Sequence, residues 1–214
     1  MAREDALPVL LEAASEQAGY VTARQAARLG VEQSRLARLT ATEDLRRVRW
    51  GVYAMRHAHH RLEDEISAWL SVDRERLPWE RDAKPVAVLS HASAAGLHDL
   101  GTVIPQEPAL TVPPEHRSAT RAKGIELHVA RLSAGDWTWM RPEGVRLPVT
   151  TPSRTIVDLV LSGEETSYVE RAIADALADR RLTPKDLVET ARRRKTRTAA
   201  LTRRVTRLLE AAVA

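Results

Sequence analysis

Along the first sixty residues the apolar positions change period three times. From Asp5 to Gln17, Leu7, Leu10, Leu11 and Ala14 recur at i, i+3, i+4 and i+7, which is one face of a helix, with Pro8 tolerated in the first turn. Tyr20 and Val21 form a short apolar entry to Thr22, a good N-cap for a second helix carrying Ala26, Ala27 and Leu29. Gly30 ends that helix, as a residue free to take positive φ would. A third helix begins near Val31 or Glu32 and runs to about Thr40. The period then shortens: Leu45 to Arg49 mixes basic and apolar residues, Trp50-Gly51 supplies a turn, and Val52 to Met55 returns. Two short helices joined by a tight Gly-containing turn, followed by a basic hairpin, predict a winged helix-turn-helix over residues 1–58.

Beyond residue 58 the pattern is mixed. Leu62 to Leu77 is amphipathic, with Ile66, Trp69, Leu70 and Leu77 on one side and Glu63, Asp64, Asp73 and Glu75 outside. A buried strand, Val86 to Leu89, leads to Ser90 as N-cap of a small-residue helix that Gly101 closes. Ala109–Pro113, Gly124–Ala130, Trp137–Met140 and Val145–Val149 are short apolar runs between Pro, Gly and charged turns, and predict strands of one mixed or antiparallel sheet. Thr151-Pro152 opens a helix buried through Ile156, Val157, Leu159 and Val160; within it Arg154 and Asp158 stand at i, i+4, the spacing of a simple surface ion pair. Helices over Glu164–Asp179 and Thr183–Arg194 follow, and a last one over Thr198–Val213 carries Leu201, Val205, Leu208 and Leu209 on one stripe. The fold class expected is α+β: the winged helix, then a mixed α/β domain over 59–214 with a small sheet and several C-terminal helices. That second domain is expected to close its own core without borrowing from residues 1–58.

Composition narrows the function. The 214 residues contain no Phe and no Cys, so the core is aliphatic, and there is neither a disulfide framework nor a thiolate metal site, as in a reducing cytoplasm. The N-terminus lacks an apolar signal core, and no apolar run approaches 18 residues, so a cytoplasmic protein is expected. The net charge of +4 is segregated: +2 over 1–58, −6 over 59–179 and +8 over 180–214. Such alternation suits two surfaces with differently charged partners.

The basic groups of the first unit fall where duplex DNA would lie. With Leu36 and Leu39 inward, Ser34, Arg35 and Arg38 share the opposite face of the third helix. Arg46, Arg47 and Arg49 sit on the wing, beside a phosphate backbone if the helix enters a major groove. Together with Thr22 and Arg24 at the start of the second helix and Gln33 at the start of the third, they form the candidate DNA-contacting set. A solvated basic face on a protein–protein module is the competing reading. In the tail, Arg192, Arg193, Arg194, Lys195 and Arg197 are candidates for a partner surface or for DNA phosphates beside the operator; a solvated helix end that complements the helix dipole accounts for them equally well.

Other chemistries find less support. His57, His59 and His60 come close together, but only His57 and His60 have helical spacing and no carboxylate completes a metal set. Ser90, His91, Ser93, His98 and Asp99 contain hydrolase residue types; no G-x-S-x-G elbow is present, and a cap with a packed helix explains them. Nucleotidyl transfer needs paired carboxylates for two metals, and neither Asp64 among its glutamates nor the Asp175/Asp179 pair supplies them. No enzyme, cofactor or metal is expected.

With both halves read, GYVTARQAARLGVEQSRLARL followed by LRRVRWGVYAM resembles the N-terminal winged helix of the AbiEi family, antitoxins of type IV toxin–antitoxin systems. AVLSHASAAGLHDLG, ALTVP with GIELHVARL, and VTTPSRTIVDLV resemble the companion antitoxin domain. The resemblance implies a bacterial autorepressor that binds repeats in its own promoter through Arg35, Arg38 and the wing. It further implies that the second domain counteracts a nucleotidyltransferase-type toxin. The alternative is a stand-alone winged-helix regulator whose second domain senses a ligand or partner.

Overall fold

The computed structural model describes residues 6–81, 84–121, 123–194 and 198–213. Helix α1 (Ala6–Ser15) leads to strand β1 (Tyr20–Thr22), helices α2 (Ala23–Arg28) and α3 (Gln33–Ala41), and the hairpin of β2 (Leu45–Arg49) and β3 (Val52–Met55). The three strands pair antiparallel in the order β1-β3-β2. The boundaries have local causes. Thr22 caps α2 in a full capping box: its Oγ1 accepts from Gln25 N at 3.0 Å, while Gln25 Oε1 accepts from Thr22 N at 2.9 Å. Gly30 takes φ +80 between α2 and α3, the geometry that ends a helix without a Cβ clash.

The second half begins with α4 (Glu63–Val72) and continues through β4 (Val88–Leu89), α5 (His91–Leu97), β5 (Ala109–Val112), β6 (Glu126–Val129), β7 (Trp137–Met140) and β8 (Leu147–Thr150). Four helices follow: α6 (Pro152–Ser162), α7 (Thr166–Ala178), α8 (Pro184–Arg193) and α9 (Thr198–Val213). The five strands form one mixed sheet, β6-β5-β4-β8-β7, in which β4/β8 and β5/β6 are parallel and β4/β5 and β7/β8 antiparallel. The expected α+β class with its N-terminal winged helix is the observed one. Helix α4 stops five residues short of the expected Leu77. Asp73 is buried there, with Oδ2 2.6 Å from Arg76 and 3.3 Å from Arg81, and its carbonyl accepts from Arg81 at 2.9 Å. Those arginines hold the chain in a turn that a continuing helix could not make.

Three apolar clusters carry the fold. Ala6, Leu10, Val21, Leu36, Leu39, Leu45 and Tyr53 fill the winged helix. Ile156, Val160, Ile173, Leu187, Leu201 and Val205 join the C-terminal helices. The central cluster is common to both halves: Tyr20, Val52 and Ala54 pack with Ile66, Trp69, Leu89, Val112 and Val149. Strands alternate their side chains between faces, so the wing sheet turns Val21, Tyr53 and Met55 to its own helices and Tyr20, Val52 and Ala54 to α4. Both faces of this sheet are buried, so residues 59–214 share part of their core with the winged helix.

Candidate nucleic-acid interface

Helix α3 is amphipathic. Leu36 and Leu39 are buried against the winged-helix core, while Gln33, Ser34 and Arg38 are exposed on the outer side. Arg35 is half-buried, and its Nε lacks a hydrogen-bond acceptor in the chain. No side chain caps the α3 N-terminus, so its first backbone N–H groups and their partial positive charge face outward.

The wing divides its arginines. Pleating sends Arg46 and Arg47 to opposite faces, and Arg46 turns to α4: it donates to both oxygens of Glu63 at 2.9 and 2.6 Å, and Glu63 also accepts from the Tyr20 hydroxyl at 2.9 Å. The Arg46 hydrogen bond holds the Glu63 carboxyl below its usual range, and burial beside Glu63 pushes the Tyr20 phenol up. A bulge separates Arg47 from Arg49, which donates to the carbonyls of Lys123 and Gly124 at 3.1 and 3.0 Å. Arg47 instead stacks over the Trp50 ring at 4.3 Å, and that indole, at the hairpin tip, is 83% exposed.

The candidate DNA-contacting set therefore separates. Gln33, Ser34, Arg38 and Arg47 are exposed and Arg35 is half-buried; Arg24 is exposed in the first turn of α2. Arg46 and Arg49 contact the second domain, where Glu63 and the 123–124 carbonyls accept from them. Thr22 is corrected to a structural cap: it is fully buried, and its hydroxyl donates to Arg74 O. Trp50 was not singled out from the sequence except as a turn residue; a lone aromatic beside basic wing residues was its signal. Between the wing tip and the second domain lies an open cleft of about 990 Å³ lined by Arg24, Arg49, Trp50, Arg74, Arg76 and Lys123.

The tail also divides. Arg192 is exposed and lines an open groove with Arg203, Arg207 and Glu210. Arg193 and Arg194 reach back toward buried carboxylates, 3.9 Å from Asp136 and 3.8 Å from Asp158. Lys195 and Arg197 lie outside the described residues. Arg154 and Asp158 do not form the surface pair their spacing suggested: each is 1% exposed, and Arg154 Nε donates to both carboxylate oxygens at 2.9 and 2.8 Å. Ser90 caps no helix by its side chain; its hydroxyl meets His91 Nδ1 and Thr111 Oγ1, both at 2.9 Å. Among the described residues, no group of three or more His, Asp or Glu could hold a metal ion. No helix of the described residues is long and apolar enough to cross a membrane.

A helix, a strand, two helices and a hairpin whose last strand lies in the middle of a three-stranded sheet define a winged helix-turn-helix protein. Residues 8–56 match the family described as transcriptional regulator, AbiEi antitoxin. Nearly the whole chain is similar in fold to a solved structure, the crystal structure of the RV2827C protein from Mycobacterium tuberculosis: the match covers 94% of this chain and 75% of that one at 17% identity, with a TM-score of 0.57. None of the curated proteins compared matches the chain.

Proposed function

We propose that the chain is an antitoxin of a bacterial type IV toxin–antitoxin system, and that it represses its own operon by binding promoter repeats through α3 and the wing tip. One observation carries the reading: α3 exposes Gln33, Ser34 and Arg38, and the wing tip exposes Trp50 beneath Arg47, all on the segment that matches the AbiEi antitoxin regulators. In this reading Arg38 and Arg35 contact base edges and Arg24 and Arg47 contact phosphates. Electrophoretic shift of a duplex from the chain's own upstream region tests this. Arg38→Ala is expected to weaken binding by about 1–3 kcal/mol with loss of sequence preference; an unchanged shift contradicts the placement of α3.

The second domain is proposed to neutralise a nucleotidyltransferase-like toxin. The AbiEi match and the charge map support this: a −6 segment beside a +8 tail offers two fields that would orient a partner and speed its encounter more than they add affinity. Co-expressing the adjacent toxin gene with the chain should restore colony growth. Growth that stays arrested while the chain is soluble sinks this half of the reading and leaves the repressor half standing.

A further inference from the structure

The second domain holds a polar cluster that neither the DNA-facing surface nor the basic groove uses. Arg154 is 1% exposed, and Asp158 occupies its Nε. Both terminal nitrogens of Arg154 are buried without a hydrogen-bond acceptor in the chain. Asp136 Oδ2 comes within 3.4 Å of Nη1, but that oxygen already accepts from Ser133 N at 2.9 Å and Ser133 Oγ at 2.6 Å. A buried guanidinium with unanswered donors is a feature that native interiors nearly always resolve.

Four elements converge on it. Helix α8 ends with Arg193 and Arg194 directed at Asp136 and Asp158. Helix α5 opens with His91 in the left-handed region, at φ +50, a conformation that a residue with a Cβ adopts only when its surroundings impose it. The His91 ring lies on that of His128 from β6, with centroids 3.4 Å apart and planes 14° from parallel. Burial and the nearby charges of His128, Arg154 and Arg194 push His91 down to about 2, so it stays neutral. Thr111 donates to the Ser90 hydroxyl, which lies 2.9 Å from His91 Nδ1. Three guanidinium groups face two aspartates, and Glu126, half-exposed at the outer edge, lies against His128 Nε2 at 2.9 Å.

We propose that this cluster binds a small anion bearing a phosphate group, held by the free edge of Arg154 and by Arg194, with the histidine stack alongside. Planar guanidinium forks approaching from two helices suit a tetrahedral oxyanion, which accepts from several directions at once. Arg154 is 1% exposed, which suits a terminal phosphate group better than a duplex backbone.

The test uses the full chain at pH 7.5 and constant ionic strength set with chloride. Inorganic phosphate and AMP are titrated while the unfolding midpoint and the phosphorus-31 linewidth are followed, with acetate as the carboxylate arm. A saturable rise in midpoint is expected, together with broadening of the phosphate resonance. Displacement of phosphate by AMP would place the site on phosphate monoesters; saturation by phosphate alone would place it on the free ion, and either supports the proposal. Arg194→Gln, which leaves the Arg154–Asp158 pair intact, should weaken the response at least tenfold, whereas Arg171→Gln on α7 should not change it. If Arg194→Gln does not fold, broadening in the wild type decides. No response to phosphate or AMP, an equal response in folded Arg194→Gln, or an equal response to acetate overturns the proposal.

Discussion

Two arginines in this chain stand four residues before an aspartate on a helix, and burial gives them different work. Arg171 and Asp175 meet at 2.9 Å with the arginine 67% exposed, whereas Arg154 and Asp158 meet at 2.8 Å with both side chains almost fully buried. Solvent screens the first pair, so Arg171→Ala should change stability by no more than about 0.5 kcal/mol. Arg154→Ala leaves the buried carboxylate of Asp158 with only the more distant Arg194, at 3.8 Å, and should cost about 3–5 kcal/mol by chemical denaturation. Equal losses in the two variants would contradict the burial assigned here. His91 supplies a second residue-scale expectation. Its ordinary value is 6.5 and the folded value about 2, so below pH 6.5 the unfolded chain takes a proton that the folded chain refuses, and stability falls with pH. Between pH 7.5 and 5 the loss from this one group should be about 2 kcal/mol. His98, also lowered by burial, adds in the same direction. Urea midpoints at the two pH values measure the sum, and His91→Asn should flatten the slope; a slope unchanged in that variant would mean that His91 titrates normally.

At the scale of elements, the winged helix was legible because its signals are local. The Thr22 cap, Gly30 in the left-handed region, the α3 stripe of Leu36 and Leu39, and the Trp50-Gly51 turn each act within a few residues, and the order of helices and strands follows from them. What stayed hidden depends on contacts distant in sequence. Nothing near Arg46 or Arg49 shows that Glu63 and the 123–124 carbonyls will claim them, and nothing near Asp73 shows that Arg81 will end α4 early. The polar cluster is a similar case: His91, His128, Arg154 and Arg194 come from four elements, and only the fold brings them together. The AVLSHASAAGLHDLG and VTTPSRTIVDLV stretches that resemble the family supply four of its residues: Ser90, His91, Arg154 and Asp158. From the split wing follows a further expectation, read by anisotropy on duplex DNA at several salt concentrations. Arg47→Ala should weaken binding to all sequences alike and lower the salt slope by about one, whereas Arg46→Gln should leave the slope in place. A smaller slope in Arg46→Gln would return that side chain to the DNA side.

Across the whole molecule, the wing sheet is covered on both faces, and the second domain forms one of the covers. Tyr20, Val52 and Ala54 lie in the same cluster as Ile66 and Trp69, and Arg81 stacks on Trp69 at 4.5 Å while donating to Gln17 of the first unit. An excised 59–214 fragment would expose Ile66 and Trp69, and it should bind a hydrophobic dye and lose near-ultraviolet dichroism. A native-like spectrum from the fragment would mean that the shared cluster is dispensable. The same packing fixes the direction in which α3 points, because the sheet beneath it is held by α4 rather than by a free linker.

The claim on which the functional account rests is that α3 reads DNA and the wing tip grips it. The most direct measurement is the affinity of the full chain for a duplex from its own upstream region, compared with a scrambled duplex, for wild type and for Arg35→Ala/Arg38→Ala. The account expects wild type to prefer its own sequence, and the double variant to lose about 1–3 kcal/mol for each base contact removed, converging on the scrambled-duplex value. A folded double variant that binds both duplexes as wild type does would contradict it.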